Sequence, residues 1–451
     1  MLFLCFLISF WYNSTGAHLL FDGMPPRRKN KKLKQKTAKS NEDRISALNI
    51  ELLHCVLSFL PAHEAVRTCV LSRRWREVWK SMRVLRCTGA TSWGSAANFN
   101  KFVNHLLFFR DLAPLDEFEL STYPCHLSIV PNPFNDREEP LRYVGTWIRY
   151  ALMRDARVLR VLFTVPVAQP LRLVDAPLIS HHLTTLELEG AVLDDCSMDF
   201  SSCPALEYLE MKDCRISAHK ISSLSLRHLC VENCRFAMCS QILVPNLLSL
   251  RLDATLGRAP FLQNMPLVVT AYVRLDESCR DCCSHTSFQQ CSFDRCGEGY
   301  GNHEGSDDRC LLLAGLSNAT NLVLAAPFYL PSNHGGVTIF KRDMKLCPMF
   351  SNLKTLVLDG WVLAREVDAF FSFLQRTPIL EKITLLLYDE RKCKLEMEEG
   401  CSSLETFVPY EHLKIVEVRC RKLVENVRKF VKILNTYGIS PDLINVRETD
   451  N

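Results

Sequence analysis

Six cysteines and two histidines in one stretch, Cys279, Cys282, Cys283, Cys291, Cys296 and Cys310 with His285 and His303, are the residues best suited by type to hold a metal. Cys279 and Cys282 have the Cys-x-x-Cys spacing that lets two thiolates occupy two corners of a zinc tetrahedron. The rest of the stretch supplies neither a second such pair nor a His-x-x-x-His. The expectation is therefore a polar loop inserted at about residues 276–309, with no metal and no cofactor. A second chemical candidate, Gly315-Leu316-Ser317-Asn318-Ala319, imitates a nucleophile elbow. A serine nucleophile of that kind follows a strand and precedes a helix, whereas this one precedes an apolar, strand-like run. No glycine-rich phosphate loop is present either. The chain is expected to bind rather than to catalyse.

The 451 residues are 47% hydrophobic, enough for a sizeable core. The formal charge of +4 is concentrated in one place, because eight Lys and Arg lie between Arg27 and Lys39. Without them 46 basic residues face 50 acidic ones, and the body carries about −4. A duplex requires a concentrated basic stripe, so nucleic acid is not an expected partner. The 21 cysteines are spread along the chain, many inside hydrophobic runs, as at Cys55, Cys69 and Cys230. They read as reduced thiols acting as small hydrophobes, not as a disulfide scaffold.

Residues 1–23 contain an apolar run, Met1 to Tyr12, followed by the sequon Asn13-Ser14-Thr15. No Lys or Arg precedes the run, and it is too short to span a bilayer. It reads as a dispensable leader ahead of a working start at Met24, with no membrane partner. Residues 24–42 are proline-led, basic and nearly free of apolar side chains, so they read as a disordered tail. Arg27-Arg28-Lys29 with Lys31 and Lys32 would suit nuclear import, and the expected location is the nucleus, the cytoplasm or both.

At residues 43–82 the pattern becomes helical. Leu52, Leu53, Val56, Leu57 and Leu60 recur at helical spacing up to the break at Pro61, and Val66, Val70, Leu71, Trp75, Val78, Trp79 and Met82 form a second periodic set. Two short helices with so many large apolar residues need a partner surface. The segment DRISALNIELLHCVLSFLPAHEAVRTCVLSRRWREVWKS resembles the F-box of plant F-box/leucine-rich-repeat proteins, through Asp43-Arg44-Ile45-Ser46, Leu60-Pro61 and Val70-Leu71-Ser72-Arg73-Arg74-Trp75. The resemblance implies docking on a Skp-type adaptor, itself carried by a cullin. The implied adaptor-facing set is Leu48, Leu52, Val56, Val70, Leu71, Trp75 and Trp79, some at the contact and others holding the helices. Leu48-Asn49 stands where that family usually has Leu-Pro, and Ile50 where an acidic residue is common.

Behind this segment, residues 83–410 repeat LxxLxL: Leu183, Leu186, Leu188; Leu206, Leu209, Met211; Leu226, Leu229, Val231; Leu247, Leu250, Leu252. The first positions are 23, 20 and 21 residues apart, a leucine-rich-repeat period in which each strand-plus-return unit needs neighbours to bury its apolar side. Weaker copies stand at Leu115, Phe118, Leu120; Val158, Val161, Phe163; Val268, Ala271, Val273; Ala319, Leu322, Leu324; Leu353, Leu356, Leu358; and Leu380, Ile383, Leu385. Leu413, Val416 and Val418 fall in a repeat-like cap over residues 411–451, and the region from about 350 to 440 also resembles the end of the same plant family. Cys214 and Cys234 occupy the template position whose side chain turns inward to bond loop backbone.

The fold expected is α/β, a small helical F-box followed by a leucine-rich-repeat solenoid. Residues between the leucines face out from the strands, so Glu187, Tyr208, Glu210, His228 and Arg251 are the expected contacts for a protein target. The function expected is a non-catalytic substrate receptor of a Skp–cullin–F-box ubiquitin ligase. The alternative is a repeat scaffold whose F-box no longer engages an adaptor.

Overall fold

The computed structural model describes residues 48–88, 96–122, 143–163, 171–172, 178–276, 278–279, 310–325, 335–360, 367–387, 411–420 and 425–448. The apolar leader, the basic segment and most of the cysteine-rich stretch lie outside the described residues. No helix among the described residues is long and apolar enough to cross a membrane. The chain divides into two compact units, Met1–Leu171 and Arg172–Asn451.

The first unit opens with α1 (Ile50–Ser58), α2 (Ala62–Arg67) and α3 (Trp75–Val78), with single 3-10 turns at Thr68–Val70 and Trp79–Ser81. Pro61 stands at the N-cap of α2, where its missing N–H costs nothing and its carbonyl takes the Glu64 and Ala65 amides. Leu53, Leu57, Ala65, Val66, Trp75, Val78 and Trp79 are buried. Next come β1 (Val84–Cys87), α4 (Ala96–Phe109), β2 (Glu117–Thr122), α5 (Val144–Met153) and β3 (Val158–Phe163). The three strands are parallel, with Leu85 beside Phe118 and Phe118 beside Leu159. That register corrects one repeat: the inward residues of β3 are Leu159, Val161 and Phe163, and the position equivalent to Leu115 is Ala156, not Val158. A small alanine at the leading position carries no hydrophobic signal, so the pattern slipped by two residues. Arg110, buried just past the end of α4, donates to the Met82 carbonyl and so ties α4 to the end of the helical segment.

After β4 (Leu171–Arg172), the second unit runs β5 (Thr185–Glu189), β6 (Ala191–Leu193), β7 (Tyr208–Lys212), β8 (Arg215–Ile216), β9 (Lys220–Ser222), β10 (His228–Glu232), β11 (Arg235–Phe236) and β12 (Gln241–Leu243). It continues with β13 (Ser249–Gly257), β14 (Phe261–Leu262), β15 (Thr270–Leu275), β16 (Asn321–Ala325), α6 (Gly335–Leu346), β17 (Thr355–Asp359), α7 (Val367–Leu374), β18 (Lys382–Leu387), β19 (Ile415–Cys420), α8 (Glu425–Thr436) and β20 (Ile444–Glu448). Strands β5, β7, β10, β13 and β15 to β20 form one parallel ladder in that order. This is a mixed α/β region around a parallel sheet.

The side-chain period of two fixes which residues go inside. Leu186, Leu209, Leu229, Leu250, Ala271, Leu322, Leu356, Ile383 and Val416 stand side by side across the ladder, all buried. At five of these strands the backbone then makes a left-handed step. Gly190, Asp213, Asn233, Ala254 and Gly360 directly follow the register-equivalent strand ends and have φ of 70°, 51°, 51°, 50° and 72°. Gly190, Asp213 and Asn233 donate their N–H to Lys212, Glu232 and Asp253 carbonyls at 3.0, 3.0 and 2.8 Å. Asp and Asn tolerate this left-handed backbone and Gly adopts it freely, whereas Ala254 carries a Cβ penalty.

Cys214 and Cys234 sit one residue past these turns, buried. The Cys214 thiol donates to Lys212 O at 3.2 Å, and the Cys234 sulfur both donates to Met211 O and accepts the Cys214 N–H, each at 3.3 Å. Burial, followed by the Cys214 thiol, pushes the Cys234 thiol well above its ordinary range, so Cys234 stays a protonated donor. Twelve described cysteines are free, whereas Cys239 is disulfide-bonded, a departure from the all-thiol expectation.

Replacing Leu209 by Ala should cost about 2–5 kcal/mol by opening a cavity in the inward column. Ala254→Gly should add about 1 kcal/mol by relieving the left-handed strain. Urea denaturation of both variants checks the pair, and equal effects would refute the assigned register.

Candidate functional site

Helix α1 begins at Asn49, whose Oδ1 accepts the Leu52 N–H at 2.8 Å, capping the first turn. The helix is apolar along two stripes. Leu53 and Leu57 are wholly buried, whereas Leu52, Val56 and Phe59, spaced as one helical stripe, are exposed, Phe59 by 75%. The sequence pattern merged these stripes into one face because they lie only about 100° apart. Ile50 is exposed as well, and Val70 and Leu71 beyond α2 are each 66% exposed. Between Ile50 and Leu71 six large apolar side chains thus face solvent. Fully burying such a group is worth roughly 1.5–3 kcal/mol, and each of these six, about half exposed or more, leaves a good part of that unrealised.

Of the residues expected to face an adaptor, Leu52, Val56, Val70 and Leu71 are exposed and Leu48 is half-buried. Trp75 and Trp79 are 3% and 2% exposed, which puts them among the residues holding the helices together. Both ends of α1 are anchored: Arg74 donates to the Leu48 carbonyl and Arg86 to that of Ser58. Ile50 and Phe59 escaped the sequence reading, although Phe59 completes the spacing set by Leu52 and Val56. The F-box domain family matches residues 45–87, spanning these helices and β1.

The chain carries an F-box. It is 27% identical to an F-box/FBD/LRR-repeat protein of Arabidopsis thaliana, over 52% of this chain and 61% of the relative. It is 31% identical to the Arabidopsis F-box/LRR-repeat protein 13 over 38% of this chain and 35% of that one. The MEIOTIC F-BOX protein MOF of Oryza sativa subsp. japonica is 26% identical over 84% of this chain and 80% of its own length. The chain covers 61%, 44% and 59% of the length of three Arabidopsis relatives, less than two thirds of each. These matches support a plant F-box/leucine-rich-repeat family.

Beyond the F-box, the solvent side of the second unit's sheet gathers the expected target contacts. Glu187, Glu210, Cys230 and Arg251 form one row across β5, β7, β10 and β13, and Tyr208 and His228 are neighbours in the next. Tyr208 donates its hydroxyl to Glu210 at 2.7 Å. Burial and then the Glu210 carboxylate push the Cys230 thiol up to about 11. Arg251 stacks 4.4 Å over the Tyr272 ring and bonds Asp253, which also takes Arg274 Nε at 2.5 Å. Further along, Glu417 on β19 is buried and draws in Lys382 at 3.1 Å, Arg419 at 3.1 Å and Arg447 at 3.4 Å. Sequence reading missed this cluster; the available signal was a glutamate at an outward position between two valines, with Arg419 two residues on.

The chemical candidates fare differently. Cys282, Cys283, Cys291, Cys296, His285 and His303 lie outside the described residues, Cys279 is buried and Cys310 half-buried. Among the described residues no three His, Cys, Asp or Glu side chains are grouped to hold a metal. Ser317 lies in a turn before β16, and the preceding Gly315 has a packing role: a Cβ there would come within 2.6 Å of the Leu262 carbonyl. The amides of Leu311, Leu312 and Leu313 donate to the buried Asp343 carboxylate at 3.0, 2.6 and 3.1 Å.

Asn49→Ala should cost about 1 kcal/mol through the lost cap, measured by denaturation. For Glu417, burial works to raise the pKa, but the Lys382 and Arg419 bonds outweigh it and hold the carboxyl below its ordinary 4.5. A depressed folded pKa means that its contribution is present above the unfolded value and is lost as pH falls through the folded one. The stability gap between wild type and Glu417→Gln should therefore shrink as pH is lowered from neutrality through the acid range, measured by denaturation at each pH.

Proposed function

We propose that this chain is the substrate-recognition subunit of a Skp–cullin–F-box ubiquitin ligase. The observation that carries the reading is α1, a short helix with one apolar stripe buried in its own bundle and a second left in solvent. The exposed residues Ile50, Leu52, Val56, Phe59, Val70 and Leu71 make the contact with a Skp-type adaptor, and through it with a cullin. Trp75 and Trp79 act from below by fixing the helices.

In this reading the parallel ladder is the core of a leucine-rich-repeat solenoid whose outward residues bind a protein target. The chain contributes no catalytic group; it contributes proximity, holding the target near an activated ubiquitin carried by other subunits. The basic segment Arg27 to Lys39 suits work in the nucleus or cytoplasm.

Phe59→Asp and Leu71→Asp should each weaken adaptor binding by more than about tenfold while leaving stability within about 0.5 kcal/mol, since both side chains already face water. Trp75→Ala should instead cost about 3–5 kcal/mol of stability and lose binding only because the bundle loosens. Calorimetric titration with a Skp-type adaptor, paired with denaturation of each variant, separates the two roles. Undetectable binding by the folded wild-type chain would leave the scaffold alternative in its place.

A further inference from the structure

Glu417 and its cations pose a charge imbalance. One buried carboxylate requires one counter-charge, yet Lys382, Arg419 and Arg447 all converge on it within 3.1–3.4 Å. The cluster therefore carries two positive charges in excess, and all three cations are about half exposed. Like charges held together on a surface repel, and Glu417 offsets only part of that cost. Each cation has N–H donors beyond the one bonded to Glu417 and is partly open to solvent, which favours an incoming anion. Of the acids on neighbouring strands, Glu381 bonds Lys414 at 2.6 Å, and Asp359 lies on β17, two strands from Arg419.

The register sets what lies beside this charge. Val323, Val357, Thr384 and Glu417 form one outward row across β16 to β19, so an aliphatic step adjoins the cations. From β16 to β20 the row spans four strand spacings, about 19 Å, the reach of roughly six extended residues. We propose that this face takes a short acidic segment of the target protein, with carboxylates on Lys382, Arg419 and Arg447 and an apolar side chain on Val323 and Val357. The proposal rests on the reading of the sheet as a target-binding face and names the chemistry of what it binds.

The test is fluorescence anisotropy of the full-length chain with a labelled peptide of two leucines flanked by glutamate pairs, against the same peptide with glutamines. The glutamate peptide should bind at least about tenfold tighter, and this preference should vanish in Arg419→Glu with Arg447→Glu and shrink in Arg447→Glu alone. Lys345→Glu, exposed on α6 and not part of the sheet, should leave it intact. Equal binding of the glutamine peptide, no binding of either, or a preference that survives the double variant would overturn the proposal. So would single-stranded RNA binding as tightly as the peptide. Adaptor titration of the same preparations keeps the two readings apart: loss of adaptor binding with the peptide preference intact sinks only the ligase reading, and the reverse pattern sinks only this one.

Discussion

A parallel strand offers a side chain to each face in strict alternation, and a ladder of such strands holds together only if every member keeps the same phase. In the second unit that phase runs unbroken from Leu186 to Val416 on the inner side, and the outward residues inherit their order from it. Glu210 stands beside Glu187 and Cys230 because Leu209 stands beside Leu186 and Leu229. Neither row was free to be placed independently. The turn residues serve the same end: at Gly190, Asp213 and Asn233 a left-handed step bonds one amide to a carbonyl of the neighbouring strand.

The F-box helices obey a different constraint. A helix in a small bundle normally dries one stripe and wets the other. In α1 the stripe of Leu53 and Leu57 does the first, while the stripe of Leu52, Val56 and Phe59 is wet but apolar. Burial and exposure are thereby divided between neighbouring residues of one helix, with Leu57 wholly buried and Val56 beside it exposed.

Much of this was legible in the sequence, and where it was not the reason is physical. The inward leucines, the alternation of the strands and the inward turn of Cys214 and Cys234 are all set by local periodicity, which spacing reports directly. The β3 register slipped because Ala156 is too small to register as hydrophobic. The roles of Trp75 and Phe59 were not legible, since spacing shows that a residue is apolar and periodic but not which of two apolar stripes meets its own core. The Glu417 cluster brings together three strands whose charged residues lie far apart in the chain, and no local pattern announces that meeting.

The ladder also keeps time across interruptions. Thr270 is paired with Asn321 in the same phase that pairs Ser249 with Thr270, although far more chain separates the first pair than the second. Asp343 takes the Leu311, Leu312 and Leu313 amides ahead of β16, which fixes the approach to that strand. Such a frame is indifferent to the size of its excursions. A change in the length of such a connection need not re-phase a single outward row, so chain can be added between two strands while the fold stands still.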